Sequence, residues 1–195
     1  YTDDITLGAQ TYAVFVRSPH AHARLRSVNI DAAKAAEGVI GVLTGADVAA
    51  AGINGLPCGW LITSTNGEPM KEPPHPILAL DTVRYVGDQV AMVVAETLQQ
   101  ARDAAELVEV DYEVLPAVVN VADAAGGKKP GAVVHDIAPD NHCYKWAIGD
   151  KAAVDAVFAG AAHVTRLDLV NNRLIPNAME PRVAIGSYNR AMDEY

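Results

Sequence analysis

VAMVVAETLQQARDAAELVEVDYEV, residues 90–114, changes its hydrophobic period twice, and each change marks an element. Val90 to Ala95 is continuously apolar, as a strand covered on both faces must be. Thr97 and Gln100 then stand at capping-box spacing, and Leu98, Ala101, Ala105 and Val108 fall on one face of the helix they open. From Val108 the period becomes two. Val108, Val110, Tyr112 and Val114 face a core, while Glu109, Asp111 and Glu113 face water or a partner. Pro116 ends this second strand.

Upstream, Thr11 to Ser18 alternates β-formers and reads as a strand, followed by another from Arg24 to Ile30. Asp31 is the expected N-cap of a short helix over Ala32 to Glu37, and Gly38 supplies the left-handed residue that stops it. Val39 to Thr44 is a buried strand, and GADVAAAG (45–52) holds one or two helical turns. Glycine and proline break every period from Ile53 to Pro76, which is a long loop. Downstream, DAAGGKKPG (123–131) is a flexible connector. Asp150 caps a helix over Lys151 to Gly160, with Val154, Val157 and Phe158 expected on its inner side. Thr165, Leu167 and Leu169 suggest a further strand, and two prolines in NNRLIPNAMEPRVAIGSYN (171–189) exclude a helix interior. There is no internal repeat or low-complexity tract. Short strands mixed with short helices, without regular βα alternation, give an α+β class.

Of the 195 residues, 50% are apolar and 20% charged, a globular composition that argues against disorder. The aromatic share is 6%, so the core is built from alanine and β-branched side chains. A formal charge of −9 disfavours nucleic-acid or anionic-membrane surfaces, which need clustered Lys and Arg. The longest uncharged run, Val48 to Gly67, contains Pro57, Gly52, Gly55 and Gly59 among other polar or breaking residues. Such a run would leave polar groups unpaired in lipid, so it is a loop and not a membrane span. No secretory signal is visible. The chain opens on Tyr1 without Met and reads as an excised segment. Cys58 and Cys143 lie far apart and make no disulfide framework, so a reducing, cytoplasmic setting is expected.

Three groups of residues bear chemistry. His20 and His22, in SPHAHAR, have strand spacing and would chelate zinc from one face. Cys58, Cys143, His75 and His142 supply no paired ligand spacing to complete four ligands, which favours ordinary surface or interface histidines. His142 and Cys143 are neighbours whose side chains diverge in a strand, so a Cys–His nucleophile would need a partner from elsewhere; the alternative is a loop thiol packed as a small apolar group. The acidic row Glu109, Asp111 and Glu113 would suit a hard cation, but it lacks a ligand loop, and a solvated or partner-facing edge is the expectation. Phosphate-loop, dinucleotide-binding and nucleophile-elbow motifs are absent from the sequence.

Several stretches together do identify a family. FVRSPHAHARLRSVNIDAAKAAEGVIGVLTGADV and RYVGDQVAMVVAETLQQARDAAELVEVDYEVLPAVVNVADA resemble the α/β-hammerhead domain of molybdenum hydroxylase large subunits. HCYKWAIGDKAAVDAVFAGAAHV and NRLIPNAMEPRVAIGSY are similar to the entry into that family's molybdopterin-binding domain. Among its branches the resemblance is strongest to aerobic carbon monoxide dehydrogenase large subunits, with xanthine dehydrogenase and aldehyde oxidase as relatives. It leaves mainly the Ile53–Pro76 loop unmatched.

The resemblance implies a hammerhead domain over residues 1–121, a linker over 122–149, and the start of a molybdopterin-binding domain over 150–195. It implies a subunit carrying a molybdenum–molybdopterin centre of the cytosine dinucleotide form. Its partners would be an iron–sulfur subunit with [2Fe–2S] clusters and an FAD subunit, in a dimer of heterotrimers. The reaction would be hydroxylation of an aldehyde or N-heterocycle, or oxidation of CO. In the family the glycine-rich pterin cradle, the glycine–glutamine motif and the general-base Glu lie downstream of these stretches. No catalytic, cofactor-binding or metal residue is therefore carried onto this segment, which by itself is expected to be inactive and structural; Glu180 in NAMEPR matches as a motif position with a packing role. A stand-alone binding module and a small metal enzyme built on His20 and His22 are the competing readings, and elemental analysis separates the latter.

Overall fold

A computed structural model describes residues 4–124, 132–180 and 182–195; the part of the expected connector at 125–131 lies outside them. The chain divides into two compact units, Thr11–Ala147 and Tyr1–Gln10 with Ile148–Tyr195.

The Thr11–Ala147 unit contains strands β1 (Tyr12–Arg17), β2 (Ala23–Asn29), β3 (Val39–Thr44), β4 (Thr82–Val83), β5 (Gln89–Ala95) and β6 (Glu109–Val114). Its helices are α1 (Asp31–Lys34), α2 (Gly45–Ala50), α3 (Leu98–Ala105) and α4 (Val121–Ala124). Two antiparallel sheets result, ordered β1-β5-β3 and β4-β2-β6. As its sequence requires, β5 is the central strand of the first sheet, with Val90, Ala91, Val93 and Ala95 buried. Ala33, Val42, Val93 and Ala104 form one core cluster, against which Val16, Ile30, Val39, Ala105 and Val108 pack. The other joins Ala23, Ala79, Val83 and Val90, with Leu25, Val28, Val110 and Tyr112 around them. Each fully buried valine contributes roughly 1.5–3 kcal/mol to burial. The small side chains of Ala101 and Ala104 turn α3 toward the core.

Several details differ from the pattern reading. The buried face of α3 is centred on Ala101 and Ala104, whereas Leu98, in the first turn, is 39% exposed. Ile30, not Asp31, is the N-cap of α1; Asn29 Oδ1 accepts the Asp31 amide (3.1 Å) and Asp31 enters the first turn. α1 ends at Lys34 with Ala35 as its C-cap, short of the expected Glu37, so Gly38, at a positive φ of 74°, shapes the turn into β3 and does not stop the helix. The two residues of β4 are too few to show a period. Val114, expected on the core face, is exposed because it occupies the last rung of the ladder, opposite Ala23. The long loop is held by backbone pairing: Thr63 bridges Pro69, Ser64 N donates to Glu68 O (2.8 Å) and Met70 N to Ile62 O (2.9 Å).

In the Tyr1–Gln10 and Ile148–Tyr195 unit, α5 (Lys151–Gly160) is capped as its sequence predicts, Asp150 Oδ1 accepting the Ala153 amide at 2.9 Å. Val154, Val157 and Phe158 are exposed, not inward, because the described residues of this unit supply no apolar layer over that face. No strand forms across Thr165, Leu167 and Leu169; these side chains, too, are exposed, and nothing among the described residues pairs with them as a ladder. Glu180 is exposed.

Candidate functional site

The connection from β1 to β2 is fixed by Ser18, which is 2% exposed. Its hydroxyl donates to His20 O and accepts the His20 amide, both at 3.0 Å, so the chain bends at once. Its backbone N–H donates to Asp88 O and its carbonyl accepts from Gly87 N, both at 2.8 Å. His20 and His22 consequently lie in a bend and not a strand, and their rings go to different partners. His20 meets Tyr112 edge-on, with centroids 4.9 Å apart and planes at 67°. His22 Nδ1 lies 2.7 Å from Pro116 O. A carbonyl only accepts, so Nδ1 carries the proton. The two rings therefore do not pair on one face, and no group of three or more potential metal ligands occurs among the described residues.

Beside this bend is a turn that the sequence reading passed over. Gly87 has φ of 95°, Asp88 Oδ2 accepts the Arg84 amide (2.9 Å), and Arg17 Nη1 donates to Gly87 O (2.9 Å). The Arg84 guanidinium donates to Thr82 O (3.1 Å) and, through Nε, to Val134 O (3.0 Å). The segment it reaches is closed by Asn141, at a positive φ of 57°. Asn141 Oδ1 accepts Val134 N (3.0 Å), and its amide nitrogen donates to Ala132 O (3.0 Å) and Ala124 O (3.2 Å). A glycine followed by Asp in RYVGD, and an Asn able to adopt left-handed backbone, were the available signals. Burial lowers the His135 pKa from its ordinary value, helped by the Arg84 and His22 charges; Asp136 and Asp88 oppose this. Burial likewise raises the Tyr112 hydroxyl.

His142 and Cys143 lie where this segment meets the long loop. Lys71 N donates to Cys143 O and Thr65 N to Lys145 O, both at 2.9 Å. Asp140 is the local hub: its carboxylate accepts from Lys71 Nζ (3.3 Å) and the His142 amide (3.2 Å), and stands 3.5 Å from His142 Nδ1. These bonds, led by the His142 amide, lower the Asp140 pKa. The Cys58 thiol donates to Trp60 O at 3.2 Å. His75 is exposed, and its carbonyl accepts the Leu56 amide (2.9 Å). The described residues bring no thiol onto an imidazole, so the geometry assembles no nucleophile.

The acidic row does face outward. The register explains what it meets: the ladder slips between Leu25 and Ser27, leaving Arg26 as an extra residue beside Arg24. Glu113 therefore receives Arg24 Nη1 at 3.1 Å and Arg26 Nε at 3.5 Å, and Glu109 Oε2 receives Asn29 Nδ2 at 3.3 Å. Arginines of β2 thus balance Glu113, while Glu109 meets a neutral amide.

Set against known proteins, the pattern has close counterparts. The family described as "Aldehyde oxidase and xanthine dehydrogenase, a/b hammerhead domain" matches residues 1–116. The chain is 34% identical to the carbon monoxide dehydrogenase large chain of Afipia carboxidovorans, over 100% of this chain and 24% of that protein. It is 33% identical to the nicotine 6-hydroxylase large subunit of Paenarthrobacter nicotinovorans, over 99% of this chain and 23% of that protein. It superposes on reconstituted CO dehydrogenase from Oligotropha carboxidovorans with a TM-score of 0.66 and 35% identity, over 83% of this chain and 20% of that one. The chain thus spans less than a quarter of the length of these relatives. It belongs to the aldehyde oxidase and xanthine dehydrogenase family, whose a/b hammerhead domain it carries.

Proposed function

We propose that these residues are the structural, interface-forming portion of a molybdenum hydroxylase large subunit. The observation that carries the reading is the 34% identity to a carbon monoxide dehydrogenase large chain across the whole of this chain. On this reading residues 1–121 are the hammerhead domain, 122–149 the linker and 150–195 the opening of the molybdopterin-binding domain. The described part of the linker hydrogen-bonds to the hammerhead through Arg84 and Lys71. The whole subunit oxidises CO, an aldehyde or an N-heterocycle in the cytoplasm. When bound, its molybdenum–molybdopterin cytosine dinucleotide accepts the substrate's electrons. An iron–sulfur subunit with [2Fe–2S] clusters and an FAD subunit complete a dimer of heterotrimers.

On this reading these residues hold no part of the pterin group. No buried side-chain nitrogen or oxygen among them lacks a partner, whereas a dinucleotide site holds donors aimed at its phosphates. No step of the chemistry is assigned to them, and their work is to hold bends and loops at fixed positions.

The test is the longer gene product, co-expressed with its neighbouring subunits. The purified complex should contain stoichiometric molybdenum and reduce a dye with CO, an aldehyde or an N-heterocycle. A correctly assembled complex without molybdenum, or turnover by the 195-residue chain alone, would overturn the reading.

A further inference from the structure

Residues 53–76 form an arm that doubles back on itself. Leu56 N donates to His75 O (2.9 Å), Cys58 N to Glu72 Oε1 (2.7 Å), and Thr63 bridges Pro69. Gly67, at φ of 85°, closes the tip by donating its amide to Ser64 O (2.9 Å). The root admits no side chain, since a Cβ on Gly55 would stand 2.1 Å from His75 O. One flank is tied down, Thr65 N donating to Lys145 O and Lys71 N to Cys143 O, both at 2.9 Å. Hydrogen bonds thus hold the arm along its length, and yet its apolar side chains meet water. Trp60 is 81% exposed, and Leu56 and Leu61 are 64% exposed. Tyr144 and Trp146, on either side of Lys145, are exposed as well.

Charge and connectivity sort the possible covers. Residues 48–67 contain no Asp, Glu, Lys or Arg, in a chain whose net charge is −9. Depletion of charge together with aromatic side chains is the composition of an interface core, and large exposed apolar surface marks a contact site. A second copy would bring another −9 toward a surface with no cation to offset it. A separate subunit would leave Trp60 and the two leucines in water until assembly. A segment of the same chain, by contrast, is present at high effective concentration from synthesis onward. The chain matches 24% of the carbon monoxide dehydrogenase large chain, so about three-quarters of that protein lies outside the match. We propose that the 53–76 arm is a docking surface for the remainder of its own large subunit, with Trp60 as the anchor. The proposal rests on the reading of these residues as part of such a subunit, and it names where the other portion closes on the hammerhead.

A photoreactive benzophenone side chain in place of Trp60, carried in the assembled complex, reads the occupant directly. Irradiation should join residue 60 to a peptide of the same large-subunit chain outside residues 1–195, leaving that chain's mass on a denaturing gel unchanged. A link to another subunit, or to a second large subunit, overturns the proposal. Where the substituted subunit does not assemble or forms no link, hydroxyl-radical footprinting of unmodified Trp60 decides. Its oxidation should be several-fold slower in the complex than in the 195-residue chain, and should stay slow after the other subunits are dissociated. Equal rates, or protection that leaves with the other subunits, overturn the proposal. Molybdenum content and dye reduction of the same complex test the family reading separately: a loaded, active complex with a fully reactive Trp60 overturns the docking alone.

Discussion

The Gln100 amide occupies the space that any side chain on Gly38 would need: a Cβ there would stand 2.2 Å from Gln100 Nε2. Gln100 Oε1 meanwhile accepts the Thr97 amide (3.1 Å) and hydroxyl (2.8 Å), while Gly38 O accepts the Glu96 amide (2.9 Å). The turn into β3 and the start of α3 are therefore one joint. Gly38→Ala should cost about 1–3 kcal/mol, from left-handed strain and a displaced cap. Gln100→Ala should cost about 1 kcal/mol. Because both changes disturb the same cap, urea unfolding of the double variant should show less than the summed loss. Strict additivity would mean that the joint is not shared.

Val93 is fully buried between the sheet and α3, while Ile40 on the neighbouring strand is 58% exposed. Val93→Ala should destabilise by about 2–3 kcal/mol, combining lost transfer energy with a residual cavity. Ile40→Ala should change stability by less than about 0.5 kcal/mol. Paired thermal melts decide; equal shifts would contradict this placement of the core.

Glu113 shares two exposed arginines, so Glu113→Gln should cost no more than about 1 kcal/mol, and less at high salt. Replacing Glu109, Asp111 and Glu113 together with Gln in the longer protein should leave molybdenum content and turnover unchanged. Lost turnover in a fully assembled, metal-loaded complex would show that this face does more than meet solvent or a neighbour.

Asp47 accepts both the hydroxyl and the amide of Thr44, each at 2.7 Å, and the hydroxyl bond leads in lowering its pKa below 3.8. A depressed carboxylate stabilises the fold above its unfolded value and loses that contribution as pH falls through its native value. The acid limb of the stability curve, below pH 3.8, should therefore be shallower in Asp47→Asn than in the unmodified chain. Chemical unfolding across that range measures the difference, and identical slopes would rule the contribution out.

The fold was most legible where the information is local. The apolar run of Val90–Ala95, the Thr97–Gln100 box, the alternation from Glu109 to Val114 and the Asp150 cap each act within a few residues, and each forms. Patterns that require a covering layer failed where the described residues do not provide one: Val154, Val157 and Phe158 have a helical face, but they are exposed. The strand spacing assumed for His20 and His22 does not apply for a related reason. Ser18 hydrogen-bonds across their bend, so the strand period never applies to them.

By itself, then, the sequence determined the α+β class, the central strand, the capped helices and the family, because period, cap chemistry and motif order are properties of neighbouring residues. Only the tertiary structure decided that Arg84 reaches Val134 fifty residues away, that Asn141 closes the segment behind it, and that a ladder slip puts Arg26 beside Glu113. Every residue offers a carbonyl, and a guanidinium or side-chain amide can bond to any of them. Which one it meets is set by the loops that packing brings together.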